Sequence, residues 1–110
     1  MKLTCVIVDD EPLARAYLGR LLQAAGVTVA GEAGDAASAL PLVLSTAPDI
    51  VFLDIEMPGM NGLDFARQLR EQPGMNAAIV FVTGYSEHAV DAFSQQATDY
   101  LLKPVSNERL

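Results

Sequence analysis

The sequence predicts an α/β domain in which five parallel strands form a doubly wound sheet of order 2-1-3-4-5. Short apolar runs alternate with helical patterns along the chain, in the order β-α-β-α-β-α-β-α-β. The first, third and fourth runs are apolar on successive residues, which is typical of strands buried on both faces of a parallel sheet. Right-handed crossovers then place helices on both sides of the sheet.

Five short apolar runs are predicted to form the strands. They are Leu3–Val8, Val27–Ala30, Ile50–Leu53, Ala78–Val82 and Tyr100–Leu102. The second and fifth runs are shorter and more mixed in composition, which indicates strands at or near the edges of the sheet.

Four helices are predicted between the strands. Pro12 is predicted to begin the first helix, because the N–H that proline lacks would have no hydrogen-bond partner within the helix at this position. Gly26 is predicted to end this helix. Asp35 is expected to cap the second, but Pro41 removes a hydrogen bond within it and predicts a kink or a late start. The other three helices are predicted at about residues 36–45, 63–71 and 86–93.

The last residues predict the beginning of a fifth helix. Lys103-Pro104 ends the fifth strand, Ser106 is a suitable helix cap, and Leu110 falls about one turn further on. We expect residues 1–110 to be one domain cut at the start of this helix, with any output domain outside the sequence. The sheet face left bare would favour pairing with a second copy of the chain.

Composition argues against several classes of protein. The 110 residues carry 14 acidic and 7 basic side chains, and the net charge of −7 disfavours binding to nucleic acid or to an anionic membrane. Hydrophobic residues make up 51% of the chain, enough for a packed core. The single cysteine, Cys5, permits no disulfide within the chain. Because neither a signal peptide nor a membrane-spanning run is recognised, a cytoplasmic location is expected.

Polar side chains of complementary chemistry follow four of the predicted strands. Asp9-Asp10 follow the first strand, Asp54 the third, Thr83 the fourth and Lys103 the fifth. Ligands of open parallel sheets bind beyond the carboxyl ends of the strands. We therefore expect these side chains to meet at one edge of the sheet, although each of them alone would be an ordinary cap or turn residue.

Such a set of side chains is suited to phosphoryl transfer. Clustered carboxylates repel each other unless a cation lies among them, and an oxygen-only cluster suits Mg²⁺. The metal ion, the Lys103 ammonium and the Thr83 hydroxyl would together clamp a phosphoryl group. Asp54 is the natural acceptor, since an aspartate can form an aspartyl-phosphate.

The motifs resemble those of the receiver domains of bacterial two-component response regulators, whose fold is flavodoxin-like. The resemblance covers nearly the whole chain and rests on Val8–Glu11, Leu53–Gly62, Val82–Gly84 and Tyr100–Pro104. It implies that a sensor histidine kinase phosphorylates Asp54 and that the domain relays this signal to an output domain. The domain would then be a signalling switch rather than an enzyme, apart from phosphoryl transfer to itself and its own slow dephosphorylation.

The resemblance also implies roles for individual residues. The implied Mg²⁺ ligands are Asp9 (through water), Asp10, Asp54 and the backbone carbonyl of Glu56. Thr83 and Lys103 would hold the phosphoryl oxygens, and Tyr100 would swing inwards on activation. Within the family, Asp10–Arg15 and Tyr85–Phe93 are similar to the LytTR (LytR/AlgR) class, in which a DNA-binding domain follows the receiver, so transcription regulation is implied for the parent protein.

Three other functions are considered. A haloacid-dehalogenase-like phosphatase also forms an aspartyl-phosphate, but it would have an aspartate where Glu56 stands. A flavodoxin-like FMN carrier would need a phosphate-binding loop after the first strand, where the acidic residues 9–11 would repel the FMN phosphate. A purely structural interaction domain would not bind Mg²⁺.

Overall fold

The sheet has the predicted strand order. A computed structural model describes residues 2–83 and 99–102, and for residues 83 and 99–102 it defines the path of the backbone. Within these ranges five parallel strands lie in the order β2-β1-β3-β4-β5. The strands are β1 (Thr4–Val8), β2 (Thr28–Ala33), β3 (Ile50–Leu53), β4 (Ala78–Thr83) and β5 (Asp99–Leu102).

Three helices connect the first four strands. They are α1 (Pro12–Ala24), α2 (Ala36–Thr46) and α3 (Gly62–Arg70). Pro12 occupies the first turn of α1, and the Asp35 side chain caps α2 by accepting a hydrogen bond of 2.8 Å from the backbone N–H of Ser38, both as predicted. The helix predicted at residues 86–93, Lys103 and the start of a fifth helix lie outside the described residues.

The core consists of two apolar clusters, one on each side of the sheet. The larger joins β1, β3 and β4 to α2 and α3 through side chains that include Val6, Leu53, Phe65 and Phe81. The smaller joins the sheet to α1 through residues that include Phe52 and Val82, which are only 5% and 4% exposed. The start of the fifth helix lies outside the described residues, so the bare face expected on this side stays a prediction.

Strand β2 is longer than predicted and reaches Ala33 rather than ending at Ala30. Its pairing with β1 shifts register after Cys5, so that Val29 and Gly31 face consecutive residues of β1 and Ala30 is left out of the register. This irregularity at the edge of the sheet lets pairing continue past Gly31, the residue that follows the predicted strand.

Helix α2 begins at Ala36, so of the two alternatives predicted from Pro41 the late start is wrong, and the kink stays a prediction. Pro41 lies inside the helix on its exposed surface. The hydrogen bond that it removes would have used the carbonyl group of Ala37, which is also an exposed residue in the first turn, where water can take the missing partner's place. In the part of the chain that the structure describes, no helix is long and apolar enough to cross a membrane.

Candidate functional site: an acidic cluster at the carboxyl edge of the sheet

The ends of β1 and β3 place three aspartates at the same edge of the sheet. Asp9-Asp10 follow the last residue of β1, and Asp54 follows the last residue of β3. The backbone N–H of Asp54 donates to the carbonyl of Val8 at 2.9 Å, and the N–H of Asp9 donates to the carbonyl of Ala33 at 3.0 Å. The sheet hydrogen bonding therefore extends one residue past the strands and fixes the backbone beneath both carboxylates.

Four carboxylates converge at this edge. One oxygen from each of Asp9, Asp10, Glu11 and Asp54 lies within 4.8 Å of the others. Asp9 and Asp54 are each only 5% exposed, whereas Asp10 and Glu11 face the solvent. We call these four residues the acidic cluster. Its floor is buried and its rim is open, so an ion held there would keep part of its water shell.

Local hydrogen bonds orient the two buried carboxylates. Oδ1 of Asp9 accepts from the backbone N–H of Glu11 at 2.9 Å, and Oδ1 of Asp54 accepts in the same way from the N–H of Glu56 at 3.3 Å. Each aspartate thus bonds to the backbone two residues ahead, a turn favoured by aspartate where a strand passes into a loop. The two turns hold the carboxylates in place at the edge of the sheet.

The composition of the acidic cluster fits Mg²⁺. All four candidate donors are carboxylate oxygens, with neither sulfur nor imidazole among them, and Mg²⁺ binds to one or two carboxylates while keeping several waters. Carboxylates held this close also repel each other, and a divalent cation removes that repulsion.

The loop between β3 and α3 closes the site on one side. Ile55 and Met57 are buried in the larger core cluster, while Glu56 between them is exposed. Asn61 ends the loop by capping α3, accepting a hydrogen bond of 2.9 Å from the backbone N–H of Asp64. With both ends held, the loop keeps Glu56 beside Asp54 and forms a shallow groove with Asp10 on its opposite side.

Three of the predicted site residues, Asp9, Asp10 and Asp54, meet as expected. The backbone of Thr83 ends β4 opposite Leu102 of β5, at the same edge. Tyr100 lies on β5, where its backbone pairs with Phe81 of β4, so it is one strand further from the acidic cluster than Thr83 is. Lys103, the next residue after β5, lies outside the described residues.

The sequence prediction left out two residues near the site. The carboxylate of Glu11 belongs to the acidic cluster, although Glu11 is also the residue that precedes α1. Arg15 donates from Nη1 to the backbone carbonyl of Asp9, and its Nε lies 3.4 Å from Oε1 of Glu32. Glu11 and Arg15 are one helical turn apart, which predicts that their side chains lie on the same face of α1. This spacing does not predict the hydrogen bond from Arg15 to the backbone at the end of β1.

Comparison with known proteins places the chain in a family. Residues 5–110 match the family model of the response regulator receiver domain. The chain belongs to the response regulator receiver domain family. It is therefore a signalling domain of two-component systems with the flavodoxin-like α/β fold of that family.

Individual relatives agree with this assignment. An uncharacterized response regulatory protein of Vibrio cholerae is 45% identical over 109 residues, which cover 97% of this chain and 41% of that protein. The transcriptional regulatory protein BtsR of Salmonella typhi is 44% identical over 106 residues, covering 96% and 44%. The response regulatory domain of mrkE from Klebsiella pneumoniae superposes with a TM-score of 0.86 at 33% identity, covering 97% of this chain and 88% of that one. The chain thus spans less than half the length of these two curated relatives.

Proposed function

We propose that this receiver domain is a phosphorylation-activated switch whose acceptor is Asp54. The observation that carries the proposal is the convergence of Asp9, Asp10 and Asp54 at the carboxyl edge of a receiver fold, with one carboxylate oxygen from each within 4.8 Å of the others. Asp54 is the member of this set that follows the central strand β3, and its carboxylate is held at the edge of the pocket. A phosphoryl donor approaching from solvent would meet Asp54 across the open rim formed by Asp10.

The proposed metal ion is Mg²⁺, bound by Asp10, Asp54 and the backbone carbonyl of Glu56, with Asp9 acting through water. When bound, the ion would offset the negative charge of the carboxylates and of the incoming phosphoryl oxygens. The chain's own contribution is orientation, because the backbone bonds to Asp9 and Asp54 fix these carboxylates in advance. Both side chains are buried, which limits their movement on the floor of the site.

Thr83 and Lys103 are proposed to hold the phosphoryl oxygens, and Tyr100 is proposed to respond to them. The pairing of Thr83 with Leu102 supports this, because the ends of β4 and β5 lie side by side and β4 is the neighbour of β3. The inward movement of the Thr83 hydroxyl would open space for the Tyr100 ring. A bound phosphoryl group shifts this equilibrium by its differential affinity for the two states.

The wider role proposed for the parent protein follows from its relatives. The matching Salmonella protein is named a transcriptional regulatory protein and is more than twice as long as the matched segment. We propose that a sensor histidine kinase phosphorylates this domain in the cytoplasm, and that a DNA-binding output domain of the LytTR class follows it. A second copy of the chain is a further proposed partner, and slow self-dephosphorylation would end the signal.

Nuclear magnetic resonance tests the switch without a kinase. Adding Mg²⁺ to the ¹⁵N-labelled chain should shift the amide signals of residues 9–11 and 54–56, and adding beryllofluoride, which mimics a phosphoryl group, should extend the shifts to β4 and β5. The Asp54→Asn variant should lose the response to beryllofluoride. If Mg²⁺ leaves residues 9–11 and 54–56 unshifted, the proposed function is wrong. Beryllofluoride shifts confined to the Asp54 pocket would contradict the relay to Tyr100.

A further inference from the structure

Four segments of the chain meet around the guanidinium group of Arg15. The group belongs to α1, bonds to the backbone carbonyl of Asp9 at the end of β1, and pairs with Glu32 of the edge strand β2. The loop after β2 also lies against it, because a Cβ at Gly34 would lie 3.2 Å from Nη1 of Arg15 and 3.9 Å from the Asp9 carbonyl oxygen. The Arg15 side chain is 21% exposed, so most of it is packed between these segments.

We propose that Arg15 is a positioning residue for the acidic cluster. By holding the Asp9 carbonyl, the guanidinium fixes the peptide that joins Asp9 to Asp10 and so sets the directions of both carboxylates. Glu32 in turn holds the guanidinium, and Gly34 leaves room for it. This inference rests on the proposed Mg²⁺-dependent function, and it adds a residue that contacts neither the metal ion nor the phosphoryl group.

Charge alone and positioning predict opposite changes in Mg²⁺ affinity when Arg15 is replaced, so the direction of the change tests the proposal. Arg15 carries a positive charge close to a cation site, so its removal should strengthen Mg²⁺ binding if charge alone matters. If positioning dominates, removal should weaken Mg²⁺ binding, because Asp9 and Asp10 lose their fixed orientation. Residues that orient the ligands of a metal ion commonly change its affinity by about tenfold or more when they are replaced.

The geometry of the contact also distinguishes arginine from lysine. Arg15 uses Nη1 for the Asp9 carbonyl and Nε for Glu32, two donors of one planar group. A lysine keeps the charge but presents one compact ammonium group, which does not reproduce the fixed fork. Arg15→Lys should therefore weaken Mg²⁺ binding nearly as much as Arg15→Gln does, whereas a pure charge effect would leave Arg15→Lys unchanged.

The experiment is an isothermal titration with Mg²⁺ of the unsubstituted chain and of four variants. Arg15→Gln and Arg15→Lys remove the planar guanidinium group with its two donors. Glu32→Gln removes the charge of its exposed partner and leaves the residues of the acidic cluster unchanged, and Arg20→Gln is the control. Arg20 lies on the exposed surface of the same helix, so its replacement makes the same change in net charge as Arg15→Gln. Urea unfolding without Mg²⁺ is measured for each chain in parallel.

We expect the Kd for Mg²⁺ to rise about tenfold in Arg15→Gln, nearly as much in Arg15→Lys and less in Glu32→Gln, with Arg20→Gln unchanged or slightly tighter. A lowered or unchanged Kd in Arg15→Gln together with an unchanged Kd in Arg15→Lys, even with reduced stability towards urea, would overturn the proposal and leave Arg15 a structural residue only. If Arg15→Gln fails to fold, Arg15→Lys, which keeps the charge, decides: a raised Kd for Mg²⁺ supports positioning and an unchanged Kd overturns it. Failure of the unsubstituted chain to bind Mg²⁺ would contradict the proposed function itself and this inference with it.

Discussion

The backbone of Gly62 lies directly against the backbone of Asp54. A Cβ at Gly62 would overlap the carbonyl oxygen of Asp54 and lie 2.8 Å from the Cα of Ile55. The backbone N–H of Gly62 also donates to the carbonyl of Ile55 at 2.7 Å. Because the neighbouring atoms belong to the backbone, they cannot rotate out of the way as a side chain would. The first residue of α3 therefore sets where the proposed acceptor lies.

Replacing Gly62 with alanine should both destabilise the domain and reduce its phosphorylation. The added methyl group must displace either α3 or the segment carrying Asp54, and overpacking of this kind costs about 1–3 kcal/mol. Urea unfolding measures the loss of stability, and the rate of phosphorylation by acetyl phosphate measures the displacement of Asp54.

Gly19→Ala is the matched control for this substitution. Gly19 lies within α1, and a Cβ there would make an ordinary contact of 3.7 Å with the end of the Ile7 side chain. The alanine should therefore raise the free energy of unfolding by about 0.5–1 kcal/mol through its helix propensity. Equal effects of the two substitutions would show that the contact with Asp54 has no special importance.

Replacing Asp9 and Asp10 together with asparagine should abolish Mg²⁺-dependent phosphorylation while stabilising the metal-free fold. Asparagine keeps an oxygen for the N–H of Glu11, so the turn survives and mainly the charge is lost. The relief of repulsion should raise the free energy of unfolding by about 1 kcal/mol at low salt. Urea unfolding without Mg²⁺ and mass spectrometry after phosphorylation measure the two effects.

The double variant Asp64→Asn, Glu71→Gln makes the same change in net charge on the exposed surface. It should leave phosphorylation unchanged. Phosphorylation that persists in the variant lacking both Asp9 and Asp10 would contradict the metal assignment.

The Cys5 thiol should be inert in the folded protein and lose its proton only at high pH. Burial raises the pKa of Cys5 to about 11 from its ordinary value of 9.0, with a smaller contribution from the charge of Glu32. Since the folded pKa is above the unfolded one, the neutral thiol's contribution to stability is complete below pH 9 and is lost as the pH rises towards 11. Iodoacetamide at pH 8 should therefore modify Cys5 only after urea is added. Rapid labelling of the native chain would show that β1 opens locally.

Ala47 is the one non-glycine residue with a left-handed backbone among the residues described, with φ of 46°. This conformation costs an L-residue about 1–2 kcal/mol, so Ala47→Gly should raise the free energy of unfolding by about 0.5–1 kcal/mol after its own entropy cost. Ala25→Gly, at the end of α1 with an ordinary φ of −85°, should lower it instead. Thermal unfolding of both variants checks the prediction, and stabilisation by both or by neither would contradict it.

The sheet was predictable from the sequence because its central strands are buried on both faces and read as continuous apolar runs. The edge strand β2 was harder to predict. It has one neighbouring strand and a register shift, so its exposure alternates along the strand, and Gly31 breaks its apolar run in the sequence. The start of α2 was predicted correctly from Asp35. The late start, one of two alternatives predicted from Pro41, did not occur, since an exposed first turn can leave a carbonyl to water.

The acidic cluster was largely predictable, because the topology of a parallel sheet brings residues after β1 and β3 to one edge. The contact between Arg15 and the Asp9 carbonyl could not be predicted from the sequence, because it depends on the side-chain conformation of Arg15 and on the space left by Gly34. The close approach of Gly62 to Asp54 could not be predicted from the sequence either. A glycine in a loop motif suggests backbone freedom, whereas here the requirement is the missing side chain.

The central claim, that Asp54 is the phosphoryl acceptor, is tested most directly by intact-mass spectrometry after incubation with acetyl phosphate. The unsubstituted chain, Asp54→Asn and the surface control Asp64→Asn are each treated with and without Mg²⁺. We predict one added phosphate on the unsubstituted chain and on Asp64→Asn, both only with Mg²⁺, and none on Asp54→Asn under either condition. A phosphate on Asp54→Asn, or none on the unsubstituted chain in Mg²⁺, would contradict the assignment.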